Sequence, residues 1–342
     1  MSHANSKTSI SYTMPIDARI FVAGHSGMVG SAIVRRLKAK GYANLLRRSS
    51  AELDLRDQTA VADFFADERP DYVFLAAARV GGIIANSTRK GEFIYDNLMI
   101  QTNVIHSAYT SGVKRLLFLG STCIYPKLSP QPIKEEYLLT GALEPTNDAY
   151  AIAKIAGIAL CRSYNQQFGT QYLSAMPNNL YGPNDNFDLT NSHVLPALIR
   201  KFHEAKVSGA DTVTVWGSGS PLREFMHVDD LAAASLFLMN LPEENFDALL
   251  ACQAAPGLIN VGSGEEISIA DLARMIKNIV GFNGELVFDT AKPDGTPRKL
   301  ADSSRLHDLG WLHQINLEDG VRDAYRWYME TARDHITPVI NQ

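Results

Sequence analysis

Tyr150 and Lys154 stand four residues apart in the stretch NDAYAIAKIAGIALCRS, Asn147 to Ser163. On a helix that spacing puts them on one face, a turn apart. The residues after Tyr150 are mostly Ala, Ile and Leu, so the helix is expected to pack inside the protein. A free phenol ionises near pH ~10 and a free ammonium near ~10.4. A neighbouring positive charge favours the phenolate and would make Tyr150 a usable acid or base nearer neutrality. An ordinary amphipathic helix can carry Y-x-x-x-K by chance, so the weight of the pair depends on what accompanies it.

A second reactive stretch is Gly120-Ser121-Thr122-Cys123-Ile124-Tyr125-Pro126, directly after an apolar strand, Arg115 to Leu119. In an open α/β sheet, ligands bind beyond the carboxyl ends of the strands, so these side chains are placed to act. Taken alone, Cys123 reads as a small buried apolar residue, and Cys161 and Cys252 as structural. His193 opens a helix, HVLPALIRKFHEA.

The elements that must position these groups begin with the strand RIFVAG, Arg19 to Gly24. It runs into a turn with Gly24, Gly27 and Gly30 around Met28 and Val29, and then into the helix SAIVRRLKAKG. Strand, glycine turn and helix form the layout of a dinucleotide site. One Gly allows the turn, one the approach of the pyrophosphate, and one the packing of helix on strand. The helix N-terminus meets the phosphate charge. A short second strand, Asn44 to Leu46, ends in Arg47 and Arg48, where an acidic residue would bind the ribose of NAD. Arg can pair with a 2′-phosphate, which points to NADP(H). Asp54 and Leu55 are expected beside the adenine. Ala76 and Ala78, after the strand DYVFLAA, leave room for the cofactor. Asn97, Asn103 and His106 read as polar positions on the next helix, with Asn103 able to reach a neighbouring strand. Asp229 and Asp230 read as helix caps.

The alternation of strands and helices predicts an α/β fold: a doubly wound parallel sheet of Rossmann type with a smaller C-terminal α/β substrate domain. The expected division is a loose tail over 1–17, a cofactor domain over 18–180 with 228–260 returning to it, and a substrate domain over 181–227 and 261–335. The 342 residues, 46% apolar and 20% charged, suit a globular enzyme with a large core. A net charge of -5 and the lack of a basic run argue against a nucleic-acid partner. Three Cys are too few for a disulfide framework and suit the reducing cytoplasm. No apolar run is long enough for a membrane span, and no metal-ligand spacing occurs.

Taken together and in order, AGHSGMVGSAI, LGSTCIYPK, EPTNDAYAIAKIAG, NSHVLPAL, VWGSGSPLREFMHVDD and KPDGTPRK resemble the extended short-chain dehydrogenase/reductase family, from about Arg19 onward. They most resemble its members that epimerise and reduce a GDP-4-keto-6-deoxy sugar. That resemblance implies NADPH as cofactor and a GDP-sugar as substrate. It implies Tyr150 as the acid that protonates the reduced ketone oxygen, Lys154 as holder of the nicotinamide ribose, and Ser121 as donor to the same oxygen. Cys123 is the implied base and His193 the implied acid for inverting two sugar carbons. Pro177, Asn178, Asn179, Leu180 and His193 are implied along the cofactor. Asn179, Lys201, Trp216, Arg223 and Lys299 are implied at the substrate, the cations facing its diphosphate. Lys201 replaces an Arg common in the family, and Ser26 stands where relatives carry an Arg near the adenosine phosphate. A homodimer through two long helices is also implied.

The sequence leaves competing readings. A dehydratase of the same fold needs a carboxylate beside Ser121, and the neighbourhood supplies none; a 4-epimerase has no need of the paired Arg. A cofactor-binding sensor would tolerate loss of Tyr150 or Lys154, and both are present.

Overall fold

The computed structural model describes residues 14–189, 192–292 and 294–331. In chain order the elements are β1 Ile20–Ala23, α1 Met28–Ala39, β2 Leu45–Leu46, α2 Gln58–Glu68, β3 Tyr72–Leu75, α3 Ile83–Thr88, α4 Lys90–Thr110, β4 Arg115–Leu119, α5 Asp148–Phe168, β5 Gln171–Pro177 and β6 Asn179–Tyr181. Next come α6 Val194–Ser208, β7 Thr212–Trp216, β8 Leu222–His227, α7 Val228–Met239, α8 Glu243–Ala251, β9 Leu258–Val261, β10 Glu266–Ser268, α9 Ile269–Val280, β11 Glu285–Asp289, β12 Arg298–Lys299, α10 Ser304–Asp308 and α11 Leu317–Thr331.

The main sheet has six strands in the order β2-β1-β3-β4-β5-β9, all parallel. β1, β3 and β4 are buried at every position, because helices cover both faces of the sheet. The strand order reverses at β1, with β2 on one side and β3 on the other, which leaves a crevice beyond their carboxyl ends. β6 leaves this sheet at once and pairs with β8. β8 also pairs with β10 and β12. A separate pair, β7 with β11, lies under α6 and α9 in a third apolar cluster. The chain thus passes from the main sheet to the second sheet where β5 runs out.

Two expectations are corrected. Met14 is not part of a loose tail: it is 2% exposed, its N–H donates to Asn240 Oδ1 at 2.9 Å, and its carbonyl accepts from the Tyr42 hydroxyl. Residues 1–13 lie outside the described residues. Asp229 and Asp230 do not cap α7. His227 does so, its Nδ1 accepting from the Asp229 N–H. Asp229 pairs with Arg35 of α1, and Asp230 accepts the Gln314 and Ile315 N–H groups. Both carboxylates lie in the first turn but are taken by partners outside the helix, and the residue before it supplies the cap.

Candidate active site

A cleft of about 1720 Å³ runs from the carboxyl ends of β1 and β3, past β4 and β5, to β7, β8 and β12. Every site residue named from the sequence lines it except Arg47.

At one end the glycine turn is built by contact. Gly24 has φ +82, and a Cβ on Gly30 would sit 2.0 Å from the Gly24 carbonyl oxygen. α1 starts at Met28 with no acidic residue in its first turn, so its free N–H groups and dipole face the cleft. These features, with Met28, Val29, Ala76 and Ala78 on the walls, fit a dinucleotide pyrophosphate. Arg48 reaches the cleft. Its guanidinium bonds Glu68 at 2.6 Å and lies 5.4 Å from the Phe64 ring centre, so it is aimed before any ligand arrives. Arg47 is exposed and outside the cleft. Of the two, Arg48 alone lines the cleft. Asp54 and Leu55 line the cleft, with the Asp54 carboxyl held below its usual range chiefly by its bond to Arg56.

Sequence reasoning undervalued three residues of α4. Asn97 exchanges side-chain bonds with both backbone groups of Arg79, Asn103 donates to the Leu55 carbonyl at 3.0 Å, and the buried Asp96 carboxylate takes both Arg56 and Arg79. Together they brace the two loops that flank the dinucleotide end. The available signal was their spacing: 96 and 103 are seven apart, which is one face of a helix.

In the middle of the cleft, Lys154 is 3% exposed and donates to the Leu119 carbonyl at 2.7 Å. This ties α5 to the end of β4. Tyr150 sits one turn back, its ring centre 5.8 Å from Lys154 Nζ. Ser121 Oγ accepts from the Cys123 N–H at 3.3 Å, which leaves its hydroxyl hydrogen to donate elsewhere. Cys123 is 8% exposed. A Cβ on Gly120 would meet the end of the Met176 side chain at 2.1 Å, so Met176 packs over the bare glycine at the end of β4. His193 is the residue before α6 and faces the cleft.

The protonation states differ from the expectation of a phenol acidified by its lysine. Burial pushes the Tyr150 phenol up, with the Cys123 thiol adding to the shift. Burial lowers Lys154 to about 8, partly opposed by Cys123. The reason is geometric: the ammonium points at Leu119, and both groups are desolvated. Burial also raises Cys123, against the nearby charges of Lys299 and Lys154, and lowers His193, with Lys299 adding to the fall. At rest the protein keeps a thiol, a phenol and a neutral imidazole here.

At the far end, Trp216 is 60% exposed with Lys201 and Lys292 near its ring, at 5.8 and 5.4 Å. β8 and β12 pair with Arg223 beside Lys299. Two adjacent cations in register suit a diphosphate. Burial lowers both, and Arg223 adds to the fall in Lys299. Asn179 donates to the Glu224 carbonyl at 2.8 Å, whereas the Asn178 amide turns inward to Glu224 and Thr122. Asn178 is thus a structural link as much as a cleft wall.

A parallel sheet with a glycine turn at its switch point, and a Tyr–Lys pair facing a Ser at the next strand end, define a nucleotide-dependent oxidoreductase of the short-chain type. The chain matches the NAD dependent epimerase/dehydratase family over residues 20–262 and belongs to it. It is 60% identical to the putative GDP-L-fucose synthase 2 of Arabidopsis thaliana, over 94% of this chain and 95% of that one. It is 57% identical to the GDP-L-fucose synthase of Escherichia coli (strain K12), over 91% of this chain and 97% of that one. Among solved structures it resembles a GDP-mannoheptose C4 reductase from Campylobacter jejuni with NADP bound, at 43% identity and a TM-score of 0.85, covering 92% and 99% of the two chains.

The contrast between the two arginines gives a direct test. Arg48→Ala should raise the KM for NADPH about tenfold or more, the range for losing a charged hydrogen bond, and change that for NADH little. Arg47→Ala should leave both nearly unchanged. Equal effects of the two substitutions would refute the placement.

Proposed function

We propose that the protein converts GDP-4-keto-6-deoxy-D-mannose to GDP-L-fucose with NADPH, by epimerisation at C3 and C5 and reduction of the C4 ketone. The observation that carries this reading is that Cys123 and His193 line the same cleft as Ser121 and Tyr150, between a dinucleotide end and paired cations. A reductase alone has no use for the first pair.

The substrate ketone acidifies the hydrogens on C3 and C5. Cys123, as thiolate, removes one; His193, as imidazolium, returns a proton from the other side. The charge that gathers on the C4 oxygen is met by the Ser121 hydroxyl and by Tyr150, and the same donors serve the later reduction. Bound NADPH supplies the hydride. Tyr150 gives its proton to the resulting alkoxide. Lys154, fixed on Leu119, holds the nicotinamide ribose and recharges Tyr150. The Gly24–Gly30 turn and Arg48 hold the rest of the dinucleotide, and Arg223 and Lys299 take the GDP diphosphate. A dehydratase is disfavoured: Glu144 lines the cleft, but its pairing with Lys127 at 2.8 Å keeps it ionised and below its usual range, a poor acid.

We read residues 18–180 with 228–260 as the cofactor part and 181–227 with 261–335 as the substrate part, on the pairing of their strands. The free thiols of Cys123, Cys161 and Cys252 suit the cytoplasm. Among the described residues no helix is long and apolar enough to cross a membrane, and no cluster of three metal-ligating side chains occurs. The outer face of α4 and α5 exposes Tyr95 and Ile152, at 60% and 47%, which supports a homodimer through that face. Gel filtration should give twice the 37.6 kDa chain mass; a monomer at micromolar concentration would overturn the dimer.

The decisive experiment follows NADPH oxidation at about 340 nm with freshly made substrate, and solvent deuterium at C3 and C5. Wild type should turn over and wash in deuterium at both carbons. Cys123→Ser should lose wash-in by orders of magnitude, in the range of a removed general base, ~10²–10⁴. Reduction of a keto sugar with no wash-in would leave a C4 reductase, as the Campylobacter jejuni relative is named.

The pH profile of wash-in carries a second test. It needs a thiolate and an imidazolium, so the two pKa values bound it. Lys299 lowers both. In Lys299→Met, both limbs should move to higher pH at saturating substrate. Limbs that stay in place would remove Lys299 from the proton chemistry.

A further inference from the structure

A buried carboxylate that no step of the reaction uses closes the joint between the two sheets. Glu224 comes directly after Arg223 on β8 and is 0% exposed. Alternation along the strand sends Arg223 to the cleft and Glu224 to the other face. There Glu224 Oε1 accepts from the Gly264 N–H at 2.8 Å, and Oε2 accepts from the Ala301 N–H at 3.0 Å and from the Asn178 amide. These are neutral donors. Burying a carboxylate is costly unless its lone pairs are filled, so the site is built around it. A Cβ on Gly262 would lie 2.2 Å from Oε1, so the carboxylate occupies space that a side chain at this position would take.

Each donor comes from a different part of the cleft. Ala301 is two residues beyond Lys299. Gly264 lies in the loop after β9. Asn178 ends β5, and its Oδ1 accepts from the Thr122 hydroxyl at 3.4 Å and the Asn179 N–H at 3.1 Å. Thr122 sits between Ser121 and Cys123. One carboxylate therefore connects the strand that carries Lys299, its own neighbour Arg223, and the loop that carries Ser121 and Cys123.

We propose that Glu224 is a positioning residue that holds the cations Arg223 and Lys299 in fixed register with Ser121 and Cys123, so that binding of the GDP diphosphate sets the sugar against the reacting groups. This rests on the reading that Arg223 and Lys299 take the diphosphate. A negative group acts here because only an acceptor can take three donors at once; an amide of the same shape puts an NH₂ against an N–H. The Gly24–Gly30 turn and Arg48 have no bond in this network, so the phosphate contacts that hold the cofactor do not depend on it; Asn178 and Asn179 meet the cofactor only at its other end.

The test compares Glu224→Gln and wild type, with GDP binding by calorimetry, NADPH binding by fluorescence titration, and steady-state kinetics. The substitution should weaken GDP and lower kcat, each about tenfold, with NADPH affinity unchanged within about twofold. Glu224→Asp, which keeps the charge, should recover part of the loss. Wild-type kinetics in Glu224→Gln, or equal weakening of GDP and NADPH, would overturn the proposal and leave Glu224 a fold residue. If Glu224→Gln fails to fold, Thr122→Val cuts the same chain at its other end. It should lower kcat severalfold with NADPH affinity intact, and a wild-type kcat there would overturn the proposal. Wild-type protein that binds GDP but turns over no keto sugar would sink the functional reading and not this one.

Discussion

A buried ammonium fixes the reaction centre. Lys154 sits on α5 and donates to the carbonyl that ends β4, at 2.7 Å, with the face of Phe118 4.7 Å away. That bond sets the axial position of α5 against the sheet, and hence the height of Tyr150 above Ser121. A desolvated cation needs such a partner, and its own value falls to about 8 for lack of more. Close packing supports the same placement. A Cβ on Gly157 of α5 would meet Phe118 at 2.5 Å, so the helix approaches β4 at a distance only Gly permits. Slip in α5 would move the phenol, lose the Lys154 bond and clash at Gly157 together.

Around this fixed centre the protein keeps its reactive groups uncharged and its binding groups charged. Cys123, Tyr150 and His193 are all shifted toward neutral forms by burial. Arg48, proposed to meet the cofactor phosphate, is already tied to Glu68. The division arises from desolvation: a group that must exchange protons cannot carry a full salt bridge, because the bridge would hold it in one state. Groups that only attract phosphate benefit from being pre-aimed, since less side-chain freedom is lost on binding.

Much of the fold was legible because its signals are local. The glycine spacing, the apolar strands and the Y-x-x-x-K helix each lie within one element, and neighbours in the chain enforce them. The residues of the reaction and cation sites, from Ser121 to Lys299, line one cleft: Ser121 and Cys123 follow β4, Tyr150 and Lys154 lie on α5, His193 precedes α6, and Arg223 and Lys299 pair across β8 and β12. The failures are those where a choice depends on distant chain. Arg47 and Arg48 are equivalent as letters, and Glu68 and Phe64 of α2, which hold Arg48, distinguish them. Asp229 looks like a cap until Arg35 of α1 offers it a partner. Glu224 reads as one more charge in a strand, and only the approach of Gly264, Ala301 and Asn178 shows it buried.

That last case bears on how one cleft can host two kinds of chemistry. Inverting a carbon needs the sugar placed between a base and an acid; reducing it needs the C4 carbon facing the nicotinamide end. On the proposed roles, the oxygen donors are Ser121 and Tyr150, held by the Cys123 N–H and by α5. The sugar must therefore move about its C4 oxygen while the GDP end stays anchored. An anchor can serve only if it keeps a constant distance to the donors. Arg223 and Lys299 lie on short strands, and β12 has only two residues. A two-residue strand has too few ladder bonds to hold its place alone. The buried bond from the Ala301 N–H to Glu224, with the Ile133–Ala301 bridge and the Leu300 N–H bond to Gln131 Oε1, supplies what the ladder lacks.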